Sequence, residues 1–335
     1  MPSVVISGAT GRTGRRLLDR LARHPGVSRV VTVDASAPVA TLKAAFEGID
    51  VLVHLGYATA VPSVLEAAAS SSISTVVYRS SASVYGAWPD NRVPLTEDVV
   101  LRPNPGFTFA VEHAEAERLV AEWAEDHPSV RVAVLRPVPV VAPGRESWES
   151  DTLGRPSSLR RSESLPPVQF LHVDDAAAAF LHAVLTPEVV GTYNVAPDGF
   201  VSGETARALA TNGRLTLPLP DKVAAVAERW AWRLGRGGAP APAVPYLVHP
   251  WVVADDKLTA SGWRALHTNE EALVAARKGS WWRELSPKRR QELALSAAGG
   301  VGMVAAAVTV LAVRGARRRA AGAVREVSPS VSRRG

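Results

Sequence analysis

Near the start of the chain, the apolar run Val4-Val5-Ile6 passes through Ser7 into Gly8, Gly11 and Gly14, and then into Arg15-Arg16-Leu17-Leu18. A short strand, a turn with glycine at every third position and a helix start leave few options. Gly8 permits the tight turn, Gly11 lets backbone approach a diphosphate, and Gly14 lets the helix pack close to the strand. Thr10, Arg12 and Thr13 complete the turn. The N–H groups and positive dipole end of the helix then face an anion. A second strand, Val30-Val31-Thr32-Val33, ends in Asp34, which lies 20 residues beyond Gly14. A carboxylate there accepts hydrogen bonds from a ribose diol and repels a 2′-phosphate, which favours NAD over NADP. Arg12 and Arg15 pull the other way, and Asp34 also suits a plain strand-end turn.

Strands and helices alternate after this unit, which predicts an α/β fold: a Rossmann doubly wound parallel sheet with helices on both faces. Helix Arg15–Arg23 precedes the second strand. Helix Val39–Phe46 leads to strand Asp50–Leu55, helix Pro62–Ser70 to strand Thr75–Ser80, and helix Phe109–His127 to strand Val130–Leu135. Gln169–Val173 resumes the strand pattern, Asp174 is placed to cap an alanine-rich helix, and Thr192–Val195 is a last strand. The expected organisation is a dinucleotide-binding domain over 1–200 with a mobile loop at 144–167, and a substrate lobe and linker over 201–280 that includes a helix at Asp221–Arg233. Only Ala35–Gly48 separates Asp34 from the third strand, so one edge strand of the usual sheet is expected to be missing.

The chain has no cysteine, which excludes disulfides, thiol nucleophiles and zinc–thiolate sites. Its net charge of +6 is local: Arg314–Gly335 holds seven arginines and one glutamate. The rest is near neutral, so a nucleic-acid groove has no support. Leu293–Val313 is 21 residues without a charge. At about 1.5 Å per residue it would span a ~30 Å hydrocarbon core. It is fenced by Lys288-Arg289-Arg290 and Arg317-Arg318-Arg319, with Trp281-Trp282 at headgroup distance. It reads as a transmembrane helix followed by a basic disordered tail at 314–335. No signal peptide precedes the first strand. The expectation is a cytoplasmic domain anchored to the inner (plasma) membrane by its C-terminus, with membrane lipid as a partner.

Several further motifs share an order and spacing: Val53-His54-Leu55-Gly56, Ser80-Ser81-Ala82-Ser83-Val84-Tyr85-Gly86, Leu135-Arg136-Pro137, Phe170-Leu171-His172-Val173-Asp174-Asp175, Gly191-Thr192-Tyr193-Asn194-Val195 and Ser261-Gly262-Trp263-Arg264. With the glycine turn, they make residues Pro2–Leu273 resemble the NAD-dependent epimerase/dehydratase family, extended or atypical short-chain dehydrogenases/reductases that include 3β-hydroxysteroid dehydrogenase-like members. The resemblance implies cofactor contacts from the turn, Asp34, Leu55, Gly56 and Pro137, and a homodimer through the helix at 109–127.

The resemblance also implies a catalytic Tyr, a Lys four residues later and a Ser. The helix reads Thr108-Phe109-Ala110-Val111-Glu112-His113-Ala114-Glu115-Ala116-Glu117, and the family's Ala and Glu are present as Ala110 and Glu117. Phe109 therefore stands at the Tyr position and His113 at the Lys position, while Ser81 matches the Ser. Phenylalanine has no proton to give, and losing a general acid typically costs about 10²–10⁴ in rate. His113 is a candidate for a ribose hydroxyl, or equally a polar residue on the helix surface. Tyr85 occupies a place where the family's Tyr is not the proton donor. Three readings follow. The chain is a membrane-tethered NAD(H)-binding protein without ordinary Tyr/Lys catalysis, with Ser81 and His113 as remaining candidates. Or it is an active oxidoreductase or isomerase on a small lipid-like or sugar-nucleotide substrate. Or it is a structural membrane partner with an empty nucleotide site.

Overall fold

The inner strands of the sheet are buried on both sides because helices cover both of its faces. In the computed structural model, which describes residues 1–142, 153, 165–211, 226, 230 and 240–277, the strands are β1 (Ser3–Ser7), β2 (Arg29–Val33), β3 (Val51–His54), β4 (Thr75–Arg79) and β5 (Arg131–Pro137). β6 (Val140–Val141), β7 (Leu171–His172) and β8 (Gly191–Val195) follow. The main sheet runs β2-β1-β3-β4-β5-β8, every pair parallel, and β6 pairs with β7 alone. Val5 lies opposite Val31 on one side and Leu52 on the other, which sets the register at the sheet's centre. β2 is an edge strand, as the short Ala35–Gly48 connection requires.

Successive side chains point to opposite faces of a strand. Val4, Ile6, Val53, Val77, Ala133 and Leu135 therefore join one buried cluster with α1 (Arg12–Arg23) and α5 (Val173–Leu185). Val5, Leu52, Val76, Tyr78, Val132 and Val134 join the other, with α2 (Val39–Phe46), α3 (Val61–Ala69) and α4 (Thr108–Asp126). Fully burying each such aliphatic side chain contributes about 1.5–3 kcal/mol, so this double layer is the main source of the fold's stability. Residues Met1–Lys278 form one unit and 279–335 another. Within the first, the later segment is tied on by backbone: Leu95 N–H donates to Val252 O at 2.9 Å, and Ala254 N–H to Leu95 O at 2.9 Å.

Three local expectations are corrected. α1 begins at Arg12 rather than Arg15, because Gly11 is extended and its carbonyl accepts from Arg15 N–H at 3.0 Å, which makes Arg12–Gly14 the first turn. The cap of α5 is His172, not Asp174: His172 Nδ1 accepts from Asp174 N–H at 3.3 Å, and Asp174 itself sits in the first turn, 3.4 Å from Arg16. The strand expected over Gln169–Val173 shortens to β7, because Val168 pairs instead with Val201 and the Gln169 side chain is drawn to Val253. Among the described residues no helix is long and apolar enough to cross a membrane. The segment 293–313 and the tail 314–335 lie outside the described residues. So do the expected loop at 144–167, apart from Leu153 and 165–167, and the helix at 221–233, apart from Val226 and Trp230, both helical.

Candidate active site

Two glycines meet where β1 and β3 end. Gly8 has φ +83°, a conformation that favours glycine, and a Cβ on it would stand 2.6 Å from the Gly56 backbone. Gly8 N–H donates to Val33 O at 3.0 Å, and Leu55 N–H to Ser7 O at 2.8 Å, so the turns after β1 and β3 are held side by side. Gly14 is also required by space: its Cβ would lie 2.7 Å from Ala9 Cα. Gly11 differs, since a Cβ there would meet nothing within 4 Å. The turn is closed on its protein side and open at Gly11. Thr10 accepts from Arg15 Nε at 3.0 Å through its carbonyl, and Arg12 and Thr13 lie in the first turn of α1. Asp34 follows β2. Its Oδ1 accepts from Ser36 N–H at 2.9 Å and Ser36 Oγ at 2.8 Å, which hold its carboxyl below the usual range, and the residue is an ionised, exposed carboxylate.

The other end of the site is filled with side chains. Ser81 precedes the 3₁₀ turn Ala82–Tyr85; its Oγ accepts from Ser83 N–H at 3.2 Å and pairs with Ser83 Oγ at 2.9 Å. Ser81, Phe109 and Pro137, with Arg79 and Val140, line a pocket of about 320 Å³. Phe109 provides the α4 wall of that pocket and sets its ring edge-on to His113, 4.5 Å between centroids. His113 is buried rather than on the helix surface, and its Nδ1 hydrogen-bonds Tyr78 Oη at 2.9 Å. Burial pushes its pKa down to about 3, helped by the charge of Arg79 and by His54, so it is neutral. Burial likewise raises Tyr78 and keeps it protonated. His54, beneath the turn, is pushed down to about 4 by burial. Its Nε2 reaches Tyr57 O at 3.2 Å and its Nδ1 reaches Ser7 Oγ at 3.2 Å. A carbonyl only accepts, so the proton sits on Nε2 and Ser7 donates to Nδ1.

A charged network backs this wall. Arg136 is buried, and its Nε donates to both carboxylate oxygens of Glu117 at 2.9 and 3.1 Å. Its Nη1 donates to Tyr85 Oη at 2.7 Å, and Tyr85 donates to Asn194 Oδ1 at 2.8 Å. Ser80 Oγ donates to Glu117 as well. Burial pushes Tyr85 up to about 12 despite Arg136, so it stays protonated and structural. The family-pattern Glu117 and Arg136 thus lock α4 onto β5.

Beyond Val138 and Pro139, which the two cavities share, a larger pocket of about 540 Å³ opens between β5, the segment 165–170 and the segment 246–252. Elsewhere, His172, Asp175 and His267 bring ligand-type atoms within 4.8 Å of one another. Asp175 is already spent on Leu266 N–H, His267 N–H and His267 Nδ1, and the two rings stack at 3.9 Å, so their lone pairs run side by side instead of converging. The cluster clamps α5 to the segment before Asn269.

The sequence leads to the turn residues, Asp34, Leu55, Gly56, Pro137 and Ser81. It does not lead to Tyr78, the partner of His113, which reads as one apolar strand position among several. Nor does it lead to the wall at 246–252; the one available signal there was Gln169, a polar residue inside an apolar run.

A model of the NAD dependent epimerase/dehydratase family matches residues 4–196. The uncharacterized protein Rv0501 of Mycobacterium tuberculosis is 26% identical over 256 residues, 65% of this chain and 67% of that one. Among solved structures, RMD from Pseudomonas aeruginosa complexed with NADPH superposes with a TM-score of 0.60 at 19% identity, covering 85% of this chain and all of that one. The Thermus thermophilus UDP-glucose 4-epimerase complex with NAD superposes at 0.61 and 17% identity, covering 83% and 98%.

Proposed function

Because the chain belongs to the NAD dependent epimerase/dehydratase family, we propose that it binds NAD(H) along the Gly8–Gly14 turn and lacks the ordinary Tyr/Lys dehydrogenase relay. The observation that carries this reading is the contrast within one site. The turn is open at Gly11, where a Cβ would meet nothing within 4 Å, while α4 holds Phe109 and a buried, neutral His113. Backbone at Thr10–Gly14 and the α1 dipole would hold the diphosphate. Asp34 Oδ2, which makes no hydrogen bond among the described residues, would accept from the ribose diol. Leu55, Gly56 and Pro137 would border the cofactor, as they do in the family pattern. Bound there, the nicotinamide supplies a hydride acceptor or donor. Phe109 then offers it no proton and His113 no ammonium, so the residues present bind and orient better than they transfer a proton. Two nucleotide-binding structures on this fold, one with NADPH and one with NAD, support the cofactor class.

The uncharged segment 293–313 supports the further reading that this domain is tethered to a membrane, as a redox-sensing or scaffolding subunit. A second reading, an active oxidoreductase or isomerase, draws on Ser81, which still lines the smaller pocket. Calorimetric titration with NAD, NADH and NADPH tests the main proposal: saturable NAD(H) binding tighter than NADPH is expected, and no heat at millimolar cofactor overturns it. Turnover of a sterol, isoprenoid or sugar-nucleotide panel that Ser81→Ala abolishes establishes the second reading. Recovery of the full chain in the membrane fraction, and of a chain stopped at 279 in the soluble fraction, is the outcome expected of the tether.

A further inference from the structure

Arg79 brings a positive charge to the carboxyl end of the sheet. It is the last residue of β4, directly before Ser80 and Ser81, and it lies opposite Leu135 of β5. Its Nη1 stands 3.5 Å from Leu55 O, where β3 ends. It lines the smaller pocket with Ser81, Phe109 and Pro137, and it is the one charged side chain among the described residues of that lining. Its charge is felt on both sides of β4. Burial comes first, and the charge of Arg79 adds to it, in holding His54 on β3 and His113 on α4 below the ordinary histidine range. Both histidines are therefore neutral, and the Arg136 charge behind the wall is matched by Glu117.

The strand order says which part of a bound dinucleotide would pass this residue. β2, β1, β3 and β4 are neighbours in that order, each about 4.8 Å from the next. The Gly8–Gly14 turn follows β1, and Asp34 follows β2. A diphosphate at the turn, with its adenosine ribose on Asp34, has its first nucleotide on the β2 side. The second, which carries the nicotinamide, would run the other way, over β3 toward β4. Arg79 ends the strand two spacings from the turn, about 10 Å away. A guanidinium offers several N–H donors to a ribose diol, and its charge also acts on the ring. The two forms of the cofactor differ there, since the nicotinamide ring is cationic in NAD and neutral in NADH. A positive group beside the ring repels the first and not the second.

We propose that Arg79 holds the nicotinamide ribose of the bound cofactor and makes the site take NADH in preference to NAD. This rests on the reading that the Gly8–Gly14 turn holds the cofactor's diphosphate. The test is calorimetric titration of ADP, NAD and NADH into the full chain and into its Arg79→Gln and Arg79→Lys variants. ADP carries the diphosphate and the adenosine but neither the second ribose nor the ring, so it reads the turn and reports the fold of each variant. The unsubstituted chain should bind NADH about tenfold tighter than NAD. Arg79→Gln should keep ADP affinity within about threefold and lose about tenfold in NADH affinity with its charge-assisted hydrogen bonds. NAD should change less, because a repulsion goes with the bonds, so the two forms approach parity. Arg79→Lys keeps the charge without the planar fork and should keep the preference for NADH. A side chain that only props up the pocket would weaken both oxidation states alike. Three results overturn the proposal: no preference for NADH in the unsubstituted chain, the full preference retained in Arg79→Gln, or ADP weakened as much as NADH. Failure of the unsubstituted chain to bind ADP, NAD and NADH alike sinks the cofactor reading, and this inference with it. Binding of all three without a preference sinks this inference alone.

Discussion

Side chains are missing at the Gly8–Gly14 turn, whereas α4 presents bulky ones at Phe109 and His113. At Gly14 a Cβ would strike Ala9 at 2.7 Å, and at Gly11 it would meet open space. On α4, by contrast, Phe109 fills the pocket wall, His113 is locked to Tyr78, and Glu117 is bound to Arg136. The two regions teach that binding and proton transfer depend on different kinds of residue. A diphosphate site is mostly backbone plus absent side chains, so it survives as long as the glycines do. A proton relay is two particular functional groups, and a single substitution removes it while the same helix goes on packing.

The largest expected effect breaks the relay side. Glu117→Ala leaves the Arg136 guanidinium buried without its carboxylate, and losing one partner of a buried pair costs about 3–5 kcal/mol. Urea unfolding should show it; a loss under about 1 kcal/mol would mean that water already reaches the pair.

Acid acts on both sides of the comparison through His54 and His113, whose pKa values fall to about 4 and about 3 in the folded chain from 6.5. The unfolded chain takes up protons first as pH drops. Stability is therefore full above pH 6.5 and is lost as pH falls from there toward the folded values, at about 1.4 kcal/mol per unit per histidine. Between pH 6.5 and 5 that amounts to about 2 kcal/mol for each. In urea titrations at pH 7.5 and 5.0, His113→Gln should shrink the acid loss by about 2 kcal/mol. Parallel losses in both proteins would show that His113 is not held neutral.

The smallest effect on stability tests the turn. Gly14→Val forces a side chain against the Ala9 backbone, an overpacking of about 1–3 kcal/mol, and should remove NAD binding with it. Phe109→Leu, at the opposite end, should leave NAD affinity within about threefold, an energy of under 1 kcal/mol. If the two variants weaken NAD equally, the site is not divided into a binding half and a relay half.

Much of the fold was legible from local pattern. The Val4–Ile6 strand, the three glycines and the alternation that follows describe a doubly covered parallel sheet, and the short stretch between Asp34 and Asp50 already shows why β2 is an edge. Ends of elements were less legible, because caps depend on geometry: Asp174 has the chemistry of a cap, yet His172 reaches the N–H group first. His113 shows the deeper limit. Its helical position is plain from the chain, but its burial depends on Tyr78, brought to it by β4 from 35 residues away.

The sequence by itself determined the glycine turn on which the proposed diphosphate site rests, because that turn is a local property of one strand and one helix. It also determined that Phe109 and His113 stand four residues apart on one helix, since that is a matter of residue identity. Only the tertiary structure decided that His113 is neutral and shut away, and that Arg136 and Glu117 are spent on each other. Each of these is set by which distant groups pair and which are left facing space. Pairing across the chain depends on packing, and no local pattern encodes it.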